Sequence, residues 1–211
     1  MYILKKIALT LLLSLSIAQL SYANTTSPAA ELSQLLNNLN EFSADFSQKT
    51  YNSRHKLLQK SEGRLALLRP GNFRWETLTP MHQLLMTNGK TLWIYDVDLE
   101  QVTQQKLSNQ GALNPAQLLS GSISSLEQQF IVSEEIHSHY QVFKLIPKVK
   151  EASVSWIGLY FKNQQLVEMQ FANELGEIND FEFSHIQNQL NLKPQDFTFV
   201  PPPGVDVLVN E

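Results

Sequence analysis

The period of the apolar positions divides the chain. Leu32, Leu35, Leu36, Leu39 and Phe42 recur at helical spacing and form one stripe. Ser27 is placed to cap that helix and Pro28 to occupy its first position. From Phe42 the period becomes two. FSADFSQKTY sets Phe42, Ala44 and Phe46 on one face, and GRLALLRP sets Leu65 with Leu67. NFRWET sets Phe73 and Trp75 on one face and turns Arg74 and Glu76 to water. QLLMTNGKTLWIYD reads as a hairpin turning at Asn88-Gly89, and LEQVTQQKL alternates again. Trp93 and Tyr95 share a face. LLM and LWIY are apolar on both sides, so periodicity does not say whether that face points inward.

The strand pattern breaks at SNQGALNPAQLLSGSISSLEQQF. Asn114 can cap a short helix that carries Leu118 and Leu119, with Pro115 at its first position and Gly121 at its end. Ser124 to Glu127 has the spacing of a capping box for another short helix. Strands resume with YQVFKLIPK, SVSWIGLYF, QLVEMQFAN, INDFEFSHI and FTFVPPPGVDVL. Val167, Met169 and Phe171 are expected on one face, and Phe181, Phe183 and His185 on another, His185 as an interior histidine. One long helix, two short ones and many strands with short connections predict a mainly β fold with helices. The expected form is one open, strongly curved antiparallel sheet with a greasy concave face and the helices covering it.

The first residues stand apart from that fold. Residues 1–23 have a basic start at Lys5 and Lys6, an apolar run from Ile7 to Ile17, and Ser21-Tyr22-Ala23. That is the pattern of a signal peptide cleaved near Ala23, and the run is short of the roughly 20 residues that span a bilayer. Residues 24–211 are then expected to form one exported domain. Cleavage takes the net charge from -4 to -6, because the segment's charges are two lysines. So acidic a chain is a poor candidate for nucleic acid or for adsorption to anionic membranes. There is no cysteine, which removes disulfides, thiol catalysis and attachment of a lipid to a cysteine after the signal.

A catalytic constellation is not found. His137 and His139 could share a strand face, but a third ligand at recognisable spacing is missing. Asp96 and Asp98 are expected to bond backbone groups in a turn. No cofactor and no enzymatic activity are expected. Arg69 at a strand end is read either as a solvated arginine or as a latch. In the second reading its guanidinium holds exposed carbonyls at the end of a lid helix.

RPGNFRWETLTP, LLMTNGKTLWIYDVDLEQV, NPAQLLSG and FTFVPPPGVDV, in this order and at these spacings, resemble the LolA family of periplasmic lipoprotein carriers. Asn88 stands where the family usually has aspartate, and Val97 where it has proline. The resemblance implies a monomeric periplasmic half-barrel with a helical lid. It implies that the apolar interior receives the acyl chains of outer-membrane lipoproteins. These would come from the inner-membrane Lol ABC exporter and pass to the receptor LolB. Arg69 would be the latch that keeps the empty form closed, and Phe73 would line the acyl-chain side. With Phe73 go Trp75, Leu65, Leu67, Phe46, Trp93, Tyr95, Val167, Met169, Phe171, Phe181 and Phe183, and Leu32, Leu35, Leu36, Leu39, Leu118 and Leu119 would belong to the lid. Three alternatives remain: a lipoprotein sensor on the same fold, a lipid hydrolase, and a lipocalin-like binder of small ligands.

Overall fold

The computed structural model describes residues 26–107, 115–120, 126–149 and 154–210. The signal segment with Ala23, and the helix signals at Asn114, Gly121 and Ser124, lie outside these residues. The helices are α1 (Pro28–Asn37), α2 (Pro115–Ser120) and α3 (Leu126–Gln129). The strands are β1 (Glu41–Tyr51), β2 (Leu57–Leu68), β3 (Asn72–Thr79), β4 (Gln83–Asn88), β5 (Thr91–Asp96) and β6 (Gln101–Lys106), then β7 (Phe130–Ile136), β8 (Gln141–Pro147), β9 (Trp156–Lys162), β10 (Gln165–Ala172), β11 (Ile178–Gln187) and β12 (Asp206–Asn210). All twelve lie in one sheet, in the order β12-β6-β5-β4-β3-β2-β1-β11-β10-β9-β8-β7. Its two edges are β12 and β7, so the sheet is open.

The curvature can be read from ring positions. Trp75 on β3 and Phe181 on β11 are three strands apart, which in a flat sheet is roughly 14 Å at about 4.8 Å per strand. Their ring centroids are 5.1 Å apart. The sheet therefore bends toward these side chains. Phe46 closes the gap between them, 4.6 Å from Trp75 and 5.9 Å from Phe181.

Most elements begin and end where the sequence places them. Ser27 caps α1, accepting from the Ala30 N–H at 3.2 Å, and Pro28 follows it. Asn88 serves its turn well: its Oδ1 accepts from Lys90 N–H and Thr91 N–H, each at 3.0 Å. Asp96 Oδ1 accepts from Leu99 N–H, and Asp98 Oδ2 from His82 N–H.

The structure departs from the sequence pattern at three places. FTFVPPPGVDVL is not one alternating strand: Pro194–Phe197 is a 3-10 helix, and only Asp206–Asn210 joins the sheet, parallel to β6. Pro201, Pro202 and Pro203 have no N–H to give a ladder, so pairing starts only beyond them. His185 is not interior. The β1–β11 register shifts here, His185 has φ 49°, and its exposed ring meets Asp45 Oδ2 at 2.7 Å. Strand β7 gave no strand signal in the sequence, because the face of buried Phe130 also carries Glu134 and the opposite face carries the exposed apolar Ile131.

Candidate functional site

Directly paired residues in neighbouring strands share a face, so the register identifies the concave side. One row runs Phe42, Leu67, Phe73, Thr87, Leu92, and the next runs Ala44, Leu65, Trp75, Leu85, Ile94. On the other half Phe181, Met169, Leu159 and Phe143 pair in succession, as do Phe171, Ile157 and Leu145. Phe46 lies between the halves, opposite Gly63 on β2 and Phe183 on β11.

Against this face pack the leucines predicted for the lid. Leu32, Leu35, Leu36, Leu39, Leu118 and Leu119 belong to one buried cluster with Phe42, Phe46, Leu65, Leu67, Phe73 and Trp75. Leu32 and Leu36 are fully buried, and Leu119 almost so. The concave side is thus plugged by helix side chains. Polar contacts hold the helices in place. Ser27 Oγ donates to Glu127 Oε1 at 3.0 Å, joining α1 to α3. Gln141 Nε2 donates to Glu31 Oε1 and to Glu134 Oε1, joining α1 to the β7–β8 edge.

The β2–β3 turn is the second anchor. Gly71 N–H donates to the Ser120 carbonyl at the end of α2 at 2.7 Å, and Arg69 N–H donates to the Asn40 carbonyl beyond α1 at 2.8 Å. Both lid segments therefore reach backbone within three residues of each other. The Arg69 guanidinium is not a solvated strand end. Its Nε and Nη2 are shut off from water, and burial pushes its pKa down to about 10.

Two of the candidate lining residues lie elsewhere. Trp93 pairs with Met86 and Tyr95 with Leu84, on the face opposite Leu92 and Ile94. That outer face is covered by the C-terminal segment, where Phe197 is buried and Phe199 lies 5.5 Å from Tyr95. A sheet region buried on both sides is why LLM and LWIY show no alternation. Val167 is also displaced. The β9–β10 register shifts between Leu166 and Glu168, and fully buried Leu166 takes the concave position opposite Phe161. A bulge moves the alternation by one residue, a shift the even spacing of Val167, Met169 and Phe171 hides.

Glu76, expected in water, is only 7% exposed. Its Oε2 meets Arg74 Nη2 at 3.0 Å and Arg64 Nε at 3.2 Å, and its Oε1 meets His82 Nε2 at 3.0 Å. Burial alone would raise its pKa, but His82, Arg74 and Arg64 outweigh it and hold the carboxyl below its ordinary value.

Further along the outer face, Glu168 lies beside Asp180 and Glu182. Burial first, then Asp180, pushes Glu168 up to about 7. The folded chain then holds a proton that the unfolded chain releases near its ordinary value of 4.5. Stability therefore rises as pH falls through 7 and stops gaining near that lower value. Glu168→Gln is expected to stabilise the protein at pH 8 by on the order of 1 kcal/mol, after allowance for solvent screening, and to make little difference at pH 5. Thermal melts at the two pH values check this; an equal shift at both would remove the proton linkage.

The fold and the site define a class: an open curved β-sheet whose apolar concave face is covered by short helices. The family described as "Outer membrane lipoprotein carrier protein LolA" matches residues 37–200, and the chain belongs to that family. Among curated relatives, an outer-membrane lipoprotein carrier protein of Coxiella burnetii is 44% identical over 179 residues, covering 84% of this chain and 85% of its own. One from Pseudomonas aeruginosa is 38% identical over 191 residues, with 90% and 92% covered. One from Hahella chejuensis is 39% identical over 203 residues, with 94% and 97% covered. A solved structure of an uncharacterised conserved protein from Thermus thermophilus aligns with a TM-score of 0.54 at 15% identity, covering 85% of this chain and 96% of that one, and speaks to the fold alone. Among the described residues no helix is long and apolar enough to cross a membrane, and no group of three metal-ligating side chains occurs.

Proposed function

We propose that the protein is a periplasmic carrier of outer-membrane lipoproteins. In this reading residues 1–23 are removed on export and 24–211 act as one monomeric domain. It takes acylated lipoproteins from the inner-membrane Lol ABC exporter, shields their acyl chains against the concave face, and hands them to the outer-membrane receptor LolB. No cofactor and no covalent step is involved. The names of its relatives support the cargo class. The observation that carries the mechanism is the plugging of the concave aromatic face by lid leucines.

Energies explain why a plug suits a carrier. Each buried methylene of an acyl chain is worth about 0.8 kcal/mol, so one long chain gains on the order of 10 kcal/mol by leaving water. Five lid leucines, at roughly 2 kcal/mol each, are worth about as much when buried. If Leu32, Leu35, Leu36, Leu118 and Leu119 leave the face as cargo enters, one apolar occupant replaces another. The two states stay close in free energy, and the closed one taxes the affinity for lipid enough to permit release. Phe73, Trp75, Phe46, Leu65, Leu67, Met169, Phe171, Phe181 and Phe183 are the wall the chains meet.

The direct test adds the mature protein to spheroplasts that make a triacylated outer-membrane lipoprotein. A soluble one-to-one complex with that lipoprotein is expected. Absence of any release by folded protein, with the exporter present, would count against the carrier.

A further inference from the structure

One end of α1 is tied to the sheet by the chain itself. Asn38–Asn40 lead straight into β1, and the Asn40 carbonyl accepts from Arg69 N–H at 2.8 Å. That end is a pivot. The helix has ten residues, so its first turn lies roughly 10–15 Å away and moves furthest in any swing. Ser27 and Glu31 stand at that far end. The Ser27–Glu127 hydrogen bond is exposed, and water competes with it. Glu31 is held in a half-buried place. Gln141 Nε2 donates to Glu31 Oε1 at 2.6 Å and to Glu134 Oε1 at 2.8 Å. Gln141 pairs with Phe161 and Glu134 with Phe143, so both lie on the concave face, at the end of the β7–β8 hairpin.

We propose that Gln141 is the releasable latch of α1, and that the two carboxylates it bridges limit its strength. The role rests on the reading that lid leucines leave the concave face when cargo enters. A single amide group serves two acceptors, so their oxygens lie within about 6 Å of each other. None of the ion pairs among the described residues includes Glu31 or Glu134. Closing the lid therefore brings one negative charge up to another, and the Gln141 amide offsets part of their repulsion. A helix held in this way rests closed over Leu32, Leu35 and Leu36, yet yields at its far end to an apolar competitor. A cation at position 141 would hold it too firmly, and an apolar residue would not hold it.

Amide hydrogen exchange on the empty mature protein tests the latch. A ten-residue helix away from its sheet is marginal, so each swing opens its amides to exchange. Gln141→Leu is expected to speed exchange in α1 about ten-fold and to leave β9 and β10 at wild-type rates. Gln141→Arg should slow α1 about ten-fold, by placing a guanidinium between the carboxylates. Glu31→Gln keeps an acceptor for Gln141 but removes one charge, and should slow α1 about three-fold. Unchanged α1 exchange in Gln141→Leu overturns the proposal. So does equal acceleration through β9 and β10, which marks a merely structural role, or exchange in Gln141→Arg or Glu31→Gln no slower than wild type. Binding of a fluorescent long-chain fatty acid is measured beside it and should tighten in Gln141→Leu. If exchange responds as expected and fatty-acid binding does not, the latch stands and the reading that cargo displaces the lid falls.

Discussion

Gly63→Ala is expected to cost about 3 kcal/mol or more and to leave much of the chain unfolded at physiological temperature. A Cβ on Gly63 would stand 2.0 Å from the Glu76 carbonyl oxygen and 2.6 Å from Phe46 Cζ. Neither neighbour can yield cheaply. The Phe46 ring is held between Trp75 and Phe181 at the bend of the sheet. The Glu76 carbonyl is backbone of β3, and the same residue's carboxylate gathers Arg64, Arg74 and His82. Relief would require β2 and β3 to part beneath the aromatic cluster. Gly158→Ala is the comparison, since its new atom would meet side chains first, at 3.2 Å from Tyr160 Cε2. It should lose far less. Urea denaturation of both variants decides the matter, and a wild-type midpoint for Gly63→Ala would show that the bend does not depend on the missing side chain.

The second large effect is on transport rather than stability. Arg69→Leu is expected to fold and to take up lipoprotein, yet to deliver it to the receptor at least about ten-fold less efficiently. A guanidinium with a pKa pushed down to about 10 by burial is held in its place at a cost. An apolar residue of similar reach removes that cost, so stability should change little. What is lost is a group with five donors at the turn where Gly71 is bonded to the end of α2. If those donors favour the closed lid, their loss moves the balance toward open, lipid-holding forms, and release becomes the slow step. Uptake and transfer are measured separately, with purified receptor as acceptor. Wild-type transfer by Arg69→Leu would end the latch reading, while a joint loss of uptake and transfer would point to misfolding instead.

Local chemistry made a good part of this protein legible without coordinates. Ser27 and Pro28 start α1, Asn88 and Gly89 turn a hairpin, and alternation assigns Phe42, Ala44 and Phe46 to one face because these effects act within a few residues. Phe73 and Trp75 share their face for the same reason. The tertiary structure alone decided which faces turn inward where the sheet is covered twice. Tyr95 meets Phe199, about a hundred residues away in the chain, and no local pattern records that contact. It also decided the phase of alternation after a bulge: Leu166 rather than Val167 meets the core, and His185 turns to water. Each bulge arises from pairing with a neighbouring strand and not from the bulged segment itself. Glu76 looked solvated because its partners Arg64 and His82 come from other strands and turns. Periodicity announces that a face is apolar. What fills it, here the leucines of three helices over a sheet bent through Phe46, Trp75 and Phe181, is settled only when distant segments compete for the same surface.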